Sequence, residues 1–322
     1  LVVDVSKHFN KIIEINPQEK YAIVQPGVIL DALNRELKKY NLLFGPETST
    51  SNRCMIGGML GNNSCGAHSL IYGSVRDHVL SVKTILSDSS EVIFNDIDRD
   101  TFTYKCALNN LEGNIYKYFN QLLSNEKNVT LIQNYFPHPD VKRRNMGYAV
   151  DSLLNTNLFS TKKNNFNISK LLAGSEGTLS MFSEIKLNLI ELSSQEQGLL
   201  CVHLNSLFDA FAANLIALKH NPTSIELMDK AILDLTKENF TQRRNRFFVE
   251  GDPAAIMIVE IWGNDKNEII KKAKKIEEEL KDNGYGYAFP LIFGPDMNKV
   301  WALRKAGLGV LSNMVGDAKP VA

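Results

Sequence analysis

A stretch of eleven residues, IGGMLGNNSCG at positions 56 to 66, combines four glycines with two asparagines, a serine and a cysteine. Glycine fits where the backbone needs a positive φ or where another group approaches the main chain closely. Clustered glycines are therefore typical either of a ligand-binding loop or of a tightly packed turn. In the first case the chemistry is binding, because backbone N–H groups and short amides hydrogen-bond to a polar ligand.

Two familiar phosphate-binding loops do not match this stretch. A nucleoside-triphosphate loop needs Gly-Lys-Ser/Thr after its four-residue spacer, but Gly66 is followed by Ala67 and His68. The dinucleotide fingerprint G-x-G-x-x-G is also missing, because only Gly58-x-x-Gly61 is present. The remaining interpretation is a long loop that wraps a large anionic cofactor through backbone N–H groups and small polar side chains.

Composition and charge limit the classes of function. The 322 residues are 44% hydrophobic, which favours two domains over one. Lys plus Arg and Asp plus Glu are equal at 36 each, so a nucleic-acid-binding surface is disfavoured and no nucleic-acid partner is expected. The four cysteines lack C-x-x-C spacing, so no metal site is expected and a reducing cytoplasm suits them. No apolar run reaches the ~18 residues of a membrane span, while peripheral membrane contact stays open.

Strand and helix patterns surround the glycine-rich stretch. YAIVQPG predicts a strand, VILDALNRELKKY predicts an amphipathic helix, and VLSVKTILSDSSEVIF has the composition of a β-hairpin. A second glycine motif, LLAGSEGTLS at 171 to 180, leads into EIKLNLI, which alternates apolar and polar residues as a half-buried strand does.

The pattern changes near residue 193. The polar run ELSSQEQG is interpreted as a linker, and the four strands with interleaved helices after it favour a separate α+β unit of the ferredoxin-like kind. The chain begins within LVVDVS, a strand pattern without a start signal, and stops at GDAKPVA without a closing element. The sequence is therefore expected to be a fragment.

The segment FGPETSTSNRCMIGGMLGNNSCGAHSLIYGSVRDHVLSVKTIL resembles the flavin loop of FAD-linked oxidases and dehydrogenases of the vanillyl-alcohol oxidase and p-cresol methylhydroxylase type. LLAGSEGTLSMFSEIKL resembles the second signature of that family. WALRKAGLG and GDAKPVA are similar to the branch that contains cytochrome-type D-lactate dehydrogenase, the glycolate oxidase flavin subunit and D-2-hydroxyglutarate dehydrogenase.

The resemblance implies an α+β fold with an FAD-binding domain of two α/β subdomains and a ferredoxin-like α+β cap. We expect the FAD-binding domain at residues 1–192, without its N-terminal pyrophosphate-loop segment, and the cap or substrate domain at 193–294. Residues 295–322 would begin a truncated C-terminal segment that returns to the flavin site.

The resemblance also implies which residues line the FAD. The first signature contributes Pro46, Ser49, Cys54, Ile56, Gly57, Gly58, Asn62, Asn63, Gly66, Tyr72 and Gly73. The second signature contributes Gly174, Ser175, Glu176, Gly177 and Thr178. A β-carbon at Gly58 is expected to impair binding, because the bare backbone there allows the cofactor to approach closely.

Candidates for the substrate carboxylate come from the same resemblance. The run Arg143-Arg144-Asn145-Met146-Gly147-Tyr148 resembles the region where this branch places a basic residue against the carboxylate, and Arg304 is a weaker candidate. A guanidinium suits this task because it stays charged and donates two parallel hydrogen bonds. An ordinary solvated charge run explains the arginines equally well, and Tyr148 could be a core residue. The catalytic base is expected beyond the end of the chain.

The implied activity is oxidation of a small 2-hydroxy acid of the D-lactate, glycolate or D-2-hydroxyglutarate class, with hydride transfer to flavin N5. Electrons would leave to a quinone, a cytochrome, an electron-transfer flavoprotein or an iron–sulfur subunit or domain. Two alternatives stay open, a flavin-dependent reductase of the enolpyruvyl-sugar-nucleotide type and a non-catalytic flavin-fold subunit of a larger complex. A cytoplasmic protein is expected, and the sequence leaves self-association as a homodimer open.

Overall fold

The computed structural model describes residues 2–138, 141, 143–144 and 147–312. The chain divides into two compact units, Leu1–Leu192 and Ser193–Ala322. Asn145, Met146 and the terminal GDAKPVA, which the sequence singled out, lie outside the described residues. Within the described residues, no helix combines the length and the apolar character needed to cross a membrane.

The first unit is built on an antiparallel sheet. Its strands are β1 (Ile12–Asn16), β2 (Tyr21–Val24), β3 (Leu42–Leu43), β4 (Val79–Ile85), β5 (Glu91–Phe94), β6 (Met181–Asn188) and β7 (Ile190–Glu191). Its helices are α1 (Leu30–Leu37), α2 (Ile56–Asn62), α3 (Ser69–Tyr72), α4 (Val75–His78), α5 (Arg99–Ala107), α6 (Leu111–Ser124), α7 (Glu126–Tyr135), α8 (Val150–Leu154) and α9 (Ser169–Leu172). The described strands form a five-stranded sheet in the order β1-β2-β6-β4-β5, and β3 pairs with β7.

Apolar patterning explains the elements that the sequence predicted here. Strand β6 lies in the middle of the sheet, and its alternate residues Ile185 and Leu187 are fully buried. The β4–β5 hairpin is confirmed, and its turn closes with a hydrogen bond of 2.9 Å from the Leu86 amide to the Ser90 carbonyl. Helix α1 is also confirmed, because its buried residues recur with helical spacing.

The second unit is a four-stranded sheet covered by helices on both faces. Its elements are β8 (Glu196–Leu204), α10 (Leu207–Leu218), β9 (Ser224–Asp229), α11 (Lys230–Glu238), α12 (Phe240–Arg243), β10 (Ala255–Gly263), α13 (Lys266–Asp282), β11 (Leu291–Phe293) and α14 (Asp296–Ser312). The antiparallel sheet has the order β11-β8-β10-β9, with α10 and α13 packed on one face and α11 and α14 on the other. The succession β8-α10-β9-β10-α13-β11 is the ferredoxin-like arrangement, so the predicted α+β cap fold is confirmed.

Three local expectations are wrong. Residues 2–5, at the start of LVVDVS, are not a strand, and the first strand is β1. Half of the polar run ELSSQEQG is strand, because β7 ends at Glu191 and β8 begins at Glu196. The predicted strand YGYAFPLIF is shortened to β11, since Gly286 has a φ of 83°, which a strand does not tolerate.

The expected long loop at the glycine-rich stretch is also wrong, because residues 56–62 form helix α2. Ile56, Met59 and Leu60 have the spacing of one helix face, and all three are buried in the core. A glycine inside a helix costs about 1 kcal/mol relative to alanine. Burial of three large apolar side chains at about 1.5–3 kcal/mol each outweighs the cost of the interior glycines.

Candidate functional site

The turn formed by the second glycine motif caps helix α2. The amide of Gly174 donates to the carbonyl of Leu60 at 3.0 Å, and the amide of Glu176 donates to the carbonyl of Gly61 at 2.9 Å. These carbonyls belong to the last turn of α2, where the Leu60 carbonyl also accepts from the amide of Asn63 at 3.0 Å. The two glycine motifs therefore form one hydrogen-bonded structure, although more than a hundred residues separate them in the sequence.

The turn formed by the second glycine motif requires glycine, whereas α2 does not require it at Gly61. A β-carbon on Gly61 would lie 3.6 Å from the Cα of Glu176, which is an ordinary van der Waals contact. Gly174, Glu176 and Gly177 have φ values of 93°, 52° and 69°, which only glycine adopts at little cost. Glu176, which is not a glycine, is held in this conformation by two hydrogen bonds to the first motif. Its backbone amide donates to the Gly61 carbonyl, and its side-chain carboxylate accepts from the side-chain amide of Asn62 at 3.2 Å.

The predicted cofactor-binding glycines fall into two kinds. Gly57, Gly66 and Gly73 are packed against protein. A β-carbon on Gly57 would lie 2.5 Å from Cβ of Pro26. A β-carbon on Gly66 would overlap the carbonyl oxygen of Glu47, and one on Gly73 would clash with the carboxylate of Asp77. Gly58 and Gly177 are different, because a β-carbon on either would meet nothing within 4 Å. Only the second kind leaves bare backbone available to a ligand.

The other predicted cofactor residues also divide by exposure. Those in the interior or packed against it are Pro46, Cys54, Ile56, Asn63, Gly174 and Ser175. Those at the surface are Ser49, Asn62, Glu176 and Thr178. Tyr72 is half-buried, and its ring lies beside that of His68, with centroids 5.9 Å apart.

Several buried side-chain donors of the described residues have no hydrogen-bond partner, and two of them lie within the glycine motifs. The amide nitrogen Nδ2 of Asn63 and the hydroxyl of Ser175 are both buried and have no hydrogen-bond partner. Leaving such a donor unpaired costs about 1–3 kcal/mol. Asn63 belongs to the first glycine motif and Ser175 to the second, in which the hydroxyl of Ser180 is also buried and unpartnered. These residues fit a cofactor that offers many acceptor atoms, such as FAD.

The segment with the predicted carboxylate-binding residues is joined to both glycine motifs. Arg143 donates from Nε to the hydroxyl of Ser69 at 2.9 Å and from Nη2 to the carbonyl of Gly66 at 3.0 Å. The hydroxyl of Thr178 donates to the Ser175 carbonyl, so in its 2.7 Å bond with Tyr148 the tyrosine is the donor. Arg143 and Tyr148 therefore lie against the first and the second motif, respectively.

The candidate arginines differ in their electrostatic partners. Arg144 forms an ion pair with the buried carboxylate of Asp151, and Arg304 pairs with Glu226 at 2.6 Å in the second unit. Among the described residues, Arg143 has only neutral oxygens as partners. No carboxylate of the described residues therefore compensates its positive charge, and its side chain is exposed.

A buried arginine that the sequence analysis missed connects these segments. The guanidinium of Arg76 donates to the carbonyls of Lys170 at 2.9 Å, Arg144 at 3.0 Å, Gly147 at 3.4 Å and Ala173 at 2.5 Å. The arginine lies in the segment that carried the family resemblance, but a single sequence gives no sign that its side chain is buried. Two of its acceptors belong to the segment around Arg143, and the other two, Lys170 and Ala173, lie directly before and within the second motif.

Burial and neighbouring charges act on this arginine in opposite directions. Burial lowers the pKa of Arg76, while the carboxylates of Asp151 and Asp77 raise it. Burial likewise lowers the pKa of Lys170, whose ammonium donates to the carbonyls of Arg76 and Val79 at 2.9 and 2.7 Å. Within the described part of the chain, no group of three or more His, Cys, Asp or Glu side chains is arranged to hold a metal ion.

Comparison with protein families identifies two matches. Residues 1–95 match the model described as "FAD binding domain", and residues 194–322 match "FAD linked oxidases, C-terminal domain". The chain is 32% identical to D-2-hydroxyglutarate dehydrogenase of Haemophilus influenzae over 100% of this chain and 32% of that protein. The enzyme of the same name from Pseudomonas putida is 30% identical over 99% of this chain and 31% of its own length.

More distant similarities agree with this assignment. Glycolate oxidase subunit GlcD of Bacillus subtilis is 26% identical over 70% of this chain and 36% of its own length. A solved structure of alkyldihydroxyacetonephosphate synthase aligns with a TM-score of 0.54 at 15% identity, covering 94% of this chain and 45% of that one, which supports the fold alone. The chain spans about a third of the length of the D-2-hydroxyglutarate dehydrogenases it matches.

The neighbouring glycines of α2 allow a test that separates cofactor binding from folding. Gly58→Ala should stabilise the cofactor-free protein by about 0.5–1 kcal/mol, because alanine is the better helix former and its methyl group meets nothing. The same methyl group should weaken FAD binding at least tenfold. Denaturant unfolding without FAD and fluorescence titration with FAD measure the two effects.

Gly57→Ala is the matched control for this test. Its methyl group would clash with Pro26, so this variant should lose about 1–3 kcal/mol of stability. Wild-type FAD affinity in Gly58→Ala would show that the cofactor does not approach the open backbone of α2.

Removing the guanidinium of Arg76 should destabilise the first unit strongly. Arg76→Met leaves four backbone carbonyls without this donor, at a cost of about 3 kcal/mol or more, and Arg76→Lys should recover part of the loss. The control is Arg99→Met, because that arginine is exposed and donates to two carbonyls at 3.2–3.3 Å. Urea unfolding should show that the control loses less than about 1 kcal/mol of its free energy of unfolding. Equal losses of unfolding free energy in the two methionine variants would contradict the conclusion that the hydrogen bonds of Arg76 stabilise the first unit.

Proposed function

We propose that this chain, which belongs to the family of FAD-linked oxidases and whose cofactor is FAD, takes part in the oxidation of a D-2-hydroxy acid. Relatives that are 30–32% identical over nearly the whole chain are named D-2-hydroxyglutarate dehydrogenase. D-2-hydroxyglutarate is therefore the substrate to test first, followed by D-lactate and glycolate.

One observation carries the proposal. The first and the second glycine motif are hydrogen-bonded to each other, and each contains an open glycine and a buried donor without a partner. A cofactor rich in acceptor atoms would satisfy such donors without a lysine or a metal ion. We assign cofactor contact to the open or surface members of the predicted set, which are Ser49, Gly58, Asn62, Glu176, Gly177 and Thr178.

Arg143 is the residue that we assign to the substrate carboxylate. A carboxylate needs a charged partner that no other acid already neutralises, and Arg144 and Arg304 each have an acidic partner. Arg143 offers the planar donor set that matches a carboxylate, and it lies exposed at the surface. Its bonds to Gly66 and Ser69 would hold the guanidinium beside the first glycine motif.

The chain would contribute orientation rather than covalent chemistry. FAD, when bound, supplies the oxidant for the α-carbon of the hydroxy acid. Arg143 would fix the carboxylate and thereby the direction of the α-hydrogen. The phenol of Tyr148 would line the substrate site beside the second glycine motif, where it is held by its hydrogen bond to Thr178. The electrons would then pass to one of the acceptor classes named above, a quinone, a cytochrome, an electron-transfer flavoprotein or an iron–sulfur partner.

Anaerobic absorbance spectra test this function directly. The purified protein is loaded with FAD, and D-2-hydroxyglutarate, D-lactate, glycolate and NADPH are added in separate cuvettes. Loss of the oxidised flavin band with a hydroxy acid, but not with NADPH, is expected. A band bleached by NADPH alone would favour the reductase alternative, and a band unchanged in every cuvette would favour a non-catalytic subunit.

Arg143→Met should raise KM for the hydroxy acid about 10- to 100-fold, since a charge-assisted hydrogen bond is worth about 1.5–3 kcal/mol. The value of kcat should change much less, because the carboxylate is held in both the ground state and the transition state. The KM of Arg143→Lys should lie between those of wild type and Arg143→Met, because lysine keeps the charge but loses the paired donors. Steady-state kinetics with an artificial electron acceptor measure these effects.

The 2-hydroxy carboxamide of the same acid provides the control, since it lacks the charge that Arg143 would bind. Wild type and Arg143→Met should handle this analogue with similar KM values. An equal rise of KM for the acid and for the carboxamide would mean that the arginine acts only through the loop at Gly66 and Ser69.

A further inference from the structure

The first unit contains a cavity of about 400 Å³ beside helix α6, which is called the α6 cavity below. Its walls come from α6, α9, the β4–β5 hairpin and the end of the second glycine motif. Six of the lining residues are buried apolar residues of the core, namely Leu86, Phe94, Phe119, Ile168, Leu171 and Leu172. Sites for small molecules have volumes of about 300–1,000 Å³ and mainly apolar walls, so this cavity has the size and the lining of such a site.

The cavity separates one face of α6 from the core. Leu111, Ile115 and Tyr118 all line it, and they follow one another at intervals of four and three residues. This spacing is typical of a helix face that packs against the rest of a protein. Protein interiors contain few voids larger than a water molecule, so a space of this size between a helix face and buried leucines is unusual. An apolar molecule in it would remove the remaining apolar surface from water.

The rim of the α6 cavity is open to solvent and uncharged. Among its lining residues Tyr118 is 60% exposed and Leu179 is 42% exposed, and Ser87 and Asn114 are exposed as well. None of the described residues that line the cavity is an acid or a base. A charged molecule would therefore lose hydration there without gaining an ion partner. The cavity favours an uncharged molecule.

One polar group of the wall indicates a further property of the occupant. Ser180 lines the cavity, and its hydroxyl is buried without a hydrogen-bond partner. Buried polar groups in proteins are nearly always paired, so each exception needs an explanation. A hydroxyl can donate one hydrogen bond and accept others. A polar atom of a bound molecule would supply the missing partner.

We propose that the α6 cavity binds an uncharged aromatic molecule that carries one hydrogen-bonding group. Aromatic rings pack favourably against other rings, and Phe94, Tyr118 and Phe119 provide three of them in the wall. The polar group of the molecule pairs with the hydroxyl of Ser180. None of the residues that we assign to FAD lines the cavity, so this site is separate and does not rest on the proposed function.

The position of the cavity relative to the second glycine motif gives the site a consequence. Leu171 and Leu172 precede the turn at residues 174–178, and Leu179 and Ser180 follow it, and all four line the cavity. A molecule in the cavity therefore contacts both segments that flank this turn.

Equilibrium dialysis of the protein against three naphthalene derivatives tests the proposal. We expect 2-naphthol to bind saturably at one molecule per chain. Naphthalene should bind about two- to tenfold more weakly, because it lacks the hydrogen bond. Naphthalene-2-sulfonate should bind at least tenfold more weakly than 2-naphthol, because its charge would be desolvated. Absence of saturable 2-naphthol binding, or equal affinity for the sulfonate, would overturn the proposal.

Filling the cavity tests its location. Ile115→Trp should raise the dissociation constant of 2-naphthol at least tenfold. Leu122→Trp is the matched control, because Leu122 is a partly buried residue two turns further along α6 that does not line the cavity. Circular dichroism checks that both variants are folded. If Ile115→Trp does not fold, Tyr118→Ala removes an exposed ring of the rim instead and should also weaken binding. Wild-type affinity in a folded Ile115→Trp or in Tyr118→Ala would overturn the assignment.

A pair of serine variants tests the hydrogen bond. Ser180→Ala should abolish the preference for 2-naphthol over naphthalene. Ser175→Ala is the matched control, because the hydroxyl of Ser175 is also buried and unpartnered but Ser175 does not line the cavity. This control should keep the wild-type preference. An unchanged preference in Ser180→Ala would overturn the pairing of the ligand with that hydroxyl.

Discussion

The capping of helix α2 by the second glycine motif is the interaction on which the rest of the site depends. Two amides, from Gly174 and Glu176, donate to carbonyls in the last turn of the helix and join two distant parts of the sequence. Gly174 and Gly177 have φ values of 93° and 69°, which only glycine adopts at little cost. These two glycines are therefore needed for the shape of the turn that caps α2.

A second constraint is the buried guanidinium of Arg76. It holds the carbonyls of Arg144 and Gly147, which lie outside helices and strands, so these backbone groups that would otherwise need water are paired inside the protein. The segment with Arg143 and Tyr148 is thereby kept beside the glycine motifs. A substrate-binding arginine is useful only if its position is fixed relative to the cofactor.

The sequence predicted those features in which local pattern and tertiary structure agree. Alternation identified β6, helical spacing identified α1, and the order of strands and helices identified the ferredoxin-like unit. It failed at α2, where glycine content suggested a loop although Ile56, Met59 and Leu60 have helical spacing. The role of Arg76 was not predictable, because burial of a charge depends on acceptors supplied by segments about seventy to a hundred residues away. For the same reason sequence alone could not distinguish Arg143 from Arg144.

The central claim is that FAD lies against the open backbone of α2 and the adjoining turn. Hydrogen–deuterium exchange with and without FAD measures this most directly, because each backbone amide reports its own protection. We expect FAD to slow exchange in residues 56–66 and 174–178 and to leave the sheet of the second unit unchanged. Protection confined to other segments, with both glycine motifs unaffected at saturating FAD, would contradict the account.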